Sequence, residues 1–137
     1  MNEITEERKA YAIERLNSLP LARAMGIRLV DIRPNEAVMT IEFRADLSQP
    51  SGILHGGVTA TLIDTAMAFA VRTRLPDDVP TATIDLTVHY LRPHAKGTAT
   101  CLARVLRAGQ KIFTVTAEVK NEEGKLIATA LSTYARI

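Results

Sequence analysis

Residues 54–71 read LHGGVTATLIDTAMAFAV, the longest apolar stretch in the chain, and its nature dictates what the remaining residues must do. A membrane span is excluded: Asp64 at its centre would cost about 2.5–3.5 kcal/mol on insertion, and a glycine pair and Thr59, Thr61 and Thr65 lower the hydropathy further. As a soluble helix the stretch is apolar nearly all round, which predicts a helix buried in the middle of its domain. Every face of such a helix has to be covered by the rest of the chain.

The cover is legible downstream, where the period changes. Runs rich in Val, Ile, Thr and Tyr at 83–91, 100–107, 112–119 and 126–137 alternate with turn clusters at 92–97, 108–111 and 121–124. The short connections predict four antiparallel strands in a meander. Upstream, 27–43 is strand-like with Pro34-Asn35 as its turn, and LARAMG (21–26) reads as a short apolar turn. Residues 1–19, MNEITEERKAYAIERLNSL, have no apolar core stretch and form a charged helical pattern. Ile4, Tyr11 and Leu16 fall near one of its faces, and Pro20 stops it. The expectation is an α+β fold, a long central helix wrapped by one curved antiparallel sheet. Its units are an N-terminal helix over 1–20 packed on a domain over 21–137.

Length and composition set the frame for function. A chain of 137 residues has room for one domain, and 47% apolar against 23% charged residues is the balance of an ordered protein. A net charge of +2 without long charge runs, and six aromatics with no Trp, argue against nucleic acid as a partner. The single cysteine, Cys101, excludes an internal disulfide and fits a reducing compartment, the cytoplasm. His55, His89 and His94 are dispersed without metal-site spacing, so no metal is expected. His89 reads as a strand or interface histidine and His94 as solvated in its turn.

Asp64 is the most informative residue. Ala60, Thr61, Met67 and Ala68, its helical neighbours, include no Lys or Arg to pair it. A carboxylate so placed is costly unless it is hydrogen-bonded or used, as a general base or a nucleophile would be; the alternative is an Asp that reaches solvent at a subunit edge or caps a neighbouring backbone. His55-Gly56-Gly57 opens the same helix. Glycine lets backbone approach a ligand, and free N–H groups at a helix start can hold a developing oxyanion, although the triplet also suits a plain tight turn. His55 and Asp64 are nine residues apart, which on a helix is a half-turn in direction and roughly 13 Å along the axis. If both are catalytic they serve one carbon only when a second subunit contributes the missing half across a two-fold axis.

Gln49-Pro50-Ser51-Gly52-Ile53-Leu54-His55-Gly56-Gly57, the stretch ATLIDTAMA around Asp64, and Thr83-Ile84-Asp85-Leu86-Thr87-Val88-His89-Tyr90-Leu91-Arg92-Pro93 together resemble the PaaI-like branch of the hotdog-fold acyl-CoA thioesterases, from about Leu21 onward. The resemblance implies a hotdog fold, dimers or dimers of dimers (homodimer or homotetramer), and active sites at the dimer interface. It implies Asp64 as catalytic acid, attacking the thioester carbonyl or activating water, and Gly56 as the backbone N–H donor that polarises the carbonyl, with His55 beside it. Gln49 takes the place of the family's water-positioning amide, and Thr83 that of a hydroxyl near the acid. Relatives with this Gln often carry Glu where Asp64 stands, so both routes stay open.

Coenzyme A, part of the substrate rather than a cofactor, needs cations for its phosphates, and Arg92, Lys96, Arg107 and Lys111 lie in two strand-end turns that a meander could bring to one edge. The expected activity is hydrolysis of a small aromatic or short- to medium-chain acyl-CoA. The rivals are a non-catalytic acyl-CoA binder or sensor on this fold, and an enoyl-CoA hydratase or dehydratase.

Overall fold

The computed structural model describes residues 3–137. The apolar stretch forms α3 (Gly56–Arg72), and six strands curve round it: β1 (Arg28–Arg33), β2 (Glu36–Glu42), β3 (Thr81–Tyr90), β4 (Thr98–Ala108), β5 (Ile112–Lys120) and β6 (Leu126–Arg136). They form one sheet in the order β1-β2-β4-β5-β6-β3, antiparallel at every pairing. The helix touches all six strands. The pleat sends Ala99, Cys101, Ala103 and Val105 of β4 and Phe113, Val115, Ala117 and Val119 of β5 inward, where they bury Leu62, Ile63, Ala66, Met67 and Ala70 of α3. The many inward alanines leave room for a helix inside the curve.

The expected four-strand meander holds only for β4-β5-β6. β3 leaves its sequence neighbour and pairs with β6 at the edge of the sheet, Thr83 opposite Tyr134 and Thr87 opposite Leu131, while β4 pairs with β2. A short link requires antiparallel strands but does not require adjacent ones. The 91–97 segment covers the three inter-strand spacings, about 14 Å, with chain to spare. It is anchored on the way: the Leu54 N–H donates to the His94 carbonyl (2.7 Å) and the Phe43 N–H to that of Gly97 (2.9 Å).

At the N-terminus, α1 (Glu6–Asn17) is capped by Thr5, whose hydroxyl accepts from the Arg8 N–H, with Glu6 and Glu7 in its first turn. Its inward face runs through Ala12 and Leu16, whereas Tyr11 is exposed. Pro20 ends one helix and opens the next: where a turn was expected, Pro20–Met25 forms α2, with proline at the position that needs no N–H and Gly26, at φ 75°, as its left-handed cap. Residues 1 and 2 of the expected N-terminal unit lie outside the described residues. Arg8 ties α1 to the domain, donating to Asp77 Oδ1 (2.9 Å) and to the carbonyls of Arg72 (3.2 Å) and Leu75 (3.0 Å).

The sheet also stops short of covering every face of α3. Gly57, Ala60, Thr61, Asp64, Thr65 and Ala68 make a stripe of small and polar residues that the chain leaves open. The Thr61 and Thr65 hydroxyls satisfy themselves on the Gly57 and Thr61 carbonyls (2.8 and 2.7 Å). Edge strand β3 borders this stripe, with Thr83, Ile84, Asp85, Thr87, His89 and Tyr90 exposed.

Candidate active site

The first turn of α3 is arranged so that one N–H remains. His55 is the N-cap, and its Nδ1 accepts from the Gly57 N–H (2.9 Å) while its carbonyl takes the Val58 N–H (2.9 Å). Among the described residues, the Gly56 N–H meets no protein acceptor, and it stands at the positive end of the helix dipole. A Cβ at Gly56 would lie 3.3 Å from the Tyr90 ring, a tight contact that the ring relieves by moving a few tenths of an ångström. The Tyr90 hydroxyl donates to the Gly56 carbonyl (2.7 Å), clamping the turn, and desolvation holds that phenol above the ordinary tyrosine range.

In front of this turn is a cleft of about 360 Å³. Gln49, Gly56, Tyr90 and Arg92 give it polar edges, and Ile53, Leu54, Leu91 and Ile127 an apolar side. Gln49 is placed by a small hairpin: its N–H donates to the Ile53 carbonyl, its own carbonyl accepts from Gly52 (both 2.9 Å), and Ser48 bridges Leu54. Gly52, at φ 82°, makes that turn possible. Such a pocket, apolar with a few converging polar groups, is what a small-molecule site requires.

Asp64 sits elsewhere on the same helix. Gly56 and Asp64 are eight residues apart within one helix, hence about 12 Å along its axis. The carboxylate is half-buried and has the partners its own helix lacks. Thr83 Oγ1 on β3 donates to Oδ1 (2.8 Å), and the Tyr134 hydroxyl on β6 donates to the Asp64 carbonyl (2.6 Å) and to Oδ1. Burial first, and the bond to Asp64 second, push the Tyr134 phenol far above the usual range, so it stays a donor at any working pH. The hydrogen bonds that such a carboxylate needs come from other elements: β3 and β6 bring Thr83 and Tyr134 from 19 and 70 residues away.

The chain therefore brings Gln49, His55, Gly56 and Arg92 together at one place and Asp64 and Thr83 at another. The cations do not share one edge. Arg92, which donates to the Leu126 carbonyl (3.0 Å), and Lys96 lie in the link before β4, whereas Arg107 and Lys111 lie at its far end, about 35 Å away over an eleven-residue strand. Lys96 faces a groove it shares with Glu122 and Glu123, and Lys111 one of about 610 Å³ that it shares with Arg74 and Arg136. His89 is exposed on β3. His94, expected in solvent, is buried: its Nε2 bonds the Gly97 carbonyl (2.9 Å) and its ring meets Phe43 edge-on, so it serves the crossover link. Cys101 is buried in β4, and desolvation pushes its thiol up to about 12. Among the described residues no three His, Cys, Asp or Glu side chains gather as a metal site, and no helix is long and apolar enough to cross a membrane.

Two functional candidates escaped the sequence reading. Tyr90 lies inside the quoted motif, but its contact with Gly56 depends on the edge strand lying against the helix start. Tyr134 had no local signal, since only the β3–β6 register places it opposite Thr83.

Residues 51–128 match the family model described as the thioesterase superfamily. The chain is 32% identical over 136 residues to the medium/long-chain acyl-CoA thioesterase YigI of Salmonella typhimurium, covering 85% of this chain and 84% of that one. Among solved structures, the Escherichia coli PaaI protein of the phenylacetic acid degradation operon superposes with a TM-score of 0.86 at 26% identity, over 96% of this chain and 92% of that one. A thioesterase from Haemophilus influenzae, HI1161, superposes with a TM-score of 0.86 at 25% identity, over 99% and 92%.

Proposed function

Because the chain belongs to the thioesterase superfamily and is a thioester hydrolase, we propose that it cleaves small aromatic or short- to medium-chain acyl-CoA thioesters to the free acid and CoA, in active sites shared between two subunits of a homodimer or dimer of dimers. One observation carries this reading: the Gly56 N–H and the Asp64 carboxylate are about 12 Å apart on one helix, yet both border the same open stripe and the same edge strand. Two copies of β3 pairing edge to edge about a two-fold axis would set the helix start of one subunit against Asp64 of the other. The same antiparallel pairing lays the Tyr90 end of one β3 beside the Thr81 end of its partner. Thr81 is paired with Arg136, which is bonded to Lys111, so the cations that one chain holds at opposite ends regroup around each shared site.

In that site the thioester oxygen accepts from the Gly56 N–H, with His55 holding the turn or orienting the thioester, and Gln49 positions the reacting water. Asp64 of the partner, steadied by Thr83, takes the proton of an attacking water or attacks the carbonyl itself, water then releasing the acid; the CoA thiolate leaves and is protonated. The single, buried Cys101 fits a cytoplasmic setting. A thiol-release assay over short, medium, long and aryl acyl-CoA thioesters tests the reading. Asp64→Asn is expected to keep the fold and the dimer and to lower turnover at least about 100-fold. Unchanged turnover would remove Asp64 from the mechanism, and tight acyl-CoA binding with no thiol released by the native protein would make it a binder.

A further inference from the structure

The reaction above leaves the Tyr134 hydroxyl without a role, although it is the deepest polar group of the Asp64 half-site at 1% exposure. We propose that Tyr134 is a positioning residue that immobilises Asp64 by its Oδ1, so that Oδ2 is the oxygen that reacts. The proposal rests on Asp64 being the reacting acid.

The geometry carries it in three steps. The phenol bridges the main chain and the side chain of one residue, its single proton shared between the Asp64 carbonyl (2.6 Å) and Oδ1. Within a helix that carbonyl already has a ladder donor, so Oδ1 is the acceptor that depends on the phenol. Thr83 Oγ1 adds a second donor to the same oxygen (2.8 Å). Both bonds on Oδ1 would break if the carboxylate turned about Cβ–Cγ, whereas Oδ2 of this half-buried residue holds no hydrogen bond among the described residues.

The two donors are themselves placed by one cross-strand pair, Thr83 opposite Tyr134. Their spacing is therefore set by the sheet rather than by flexible side chains, and the buried ring has no freedom to withdraw. Positioning of this kind matters because a reacting oxygen misplaced by about 1 Å costs about 100-fold in rate. The phenol remains neutral, since burial opposes its ionisation, and so it acts as a fixed donor rather than a proton carrier.

Tyr134→Phe removes the hydroxyl and keeps the ring. Steady-state kinetics of the homo-oligomer are expected to show kcat lowered about 10- to 100-fold with KM within about twofold. In an Asp64→Asn background the same change should alter the residual rate less than about twofold, because a residue that acts through Asp64 has nothing left to act on. A native kcat in Tyr134→Phe, or the same fold-loss in both backgrounds, overturns the proposal while leaving Asp64 in place. Native turnover in Asp64→Asn alone would instead overturn the reading beneath it. Should Tyr134→Phe fail to fold, Thr83→Val probes the clamp from its exposed side: its kcat loss must also vanish in the Asp64→Asn background, and an additive loss rejects the clamp.

Discussion

At the level of single residues, the proposed chemistry needs one backbone N–H and one carboxylate. The Gly56 N–H can be removed without dismantling its helix, because proline is tolerated at the first helical position and His55 already holds the extended conformation, φ −61° and ψ 134°, that a following proline demands. Gly56→Pro is expected to lower kcat about 100- to 1,000-fold with little loss of helicity by circular dichroism, the Tyr90 ring giving way by a few tenths of an ångström. A variant with full activity would show that the oxyanion donor lies elsewhere. Cys101 supplies a contrasting case. Its thiol, pushed up to about 12 by burial, has almost no thiolate at pH 8, so an aromatic disulfide reagent should label it only after denaturation. Rapid labelling of the native protein would contradict its place in the core.

At the level of elements, the open stripe of α3 and the edge of β3 are one surface, tied together by Thr83 on Asp64 and Tyr90 on Gly56. Ala60→Arg puts a long cation in the middle of that stripe, where the isolated chain has space and a second copy would not. Expected from light scattering is a folded monomer, and from the thiol assay a loss of turnover of at least about 100-fold, since each site would lack its other half. An active monomer would mean that one chain holds a whole site. The buried helix, its HGG start and Asp64 were legible because helix periodicity, composition and the nine-residue spacing are local. The placing of β3 beside β6 was not, because turn length constrains strand direction and leaves adjacency to long-range packing. Tyr134 was lost for that same reason, being 70 residues from the carboxylate it touches.

At the level of the whole molecule, the proposed function makes the chain a closed core around half of each of two sites. The hydrophobic interior closes within one copy, from Leu16 on α1 to Tyr134 on β6. On the proposed mechanism the chemistry does not close within one copy, because the helix that builds the core also holds Gly56 and Asp64 apart. The cations repeat the pattern: β4 holds their two turns at opposite ends rather than at one edge, and a partner laid antiparallel as proposed would bring them together. Subunit complementation tests this most directly. Asp64→Asn and Gly56→Pro subunits, each nearly inactive alone, are co-expressed and the hybrid dimers assayed for thiol release. A shared site predicts that one of the two sites in each hybrid carries both lesions and the other none, restoring about a quarter of native turnover in a random mixture. Activity no greater than the sum of the two parent variants, with hybrids demonstrably formed, would contradict the shared site.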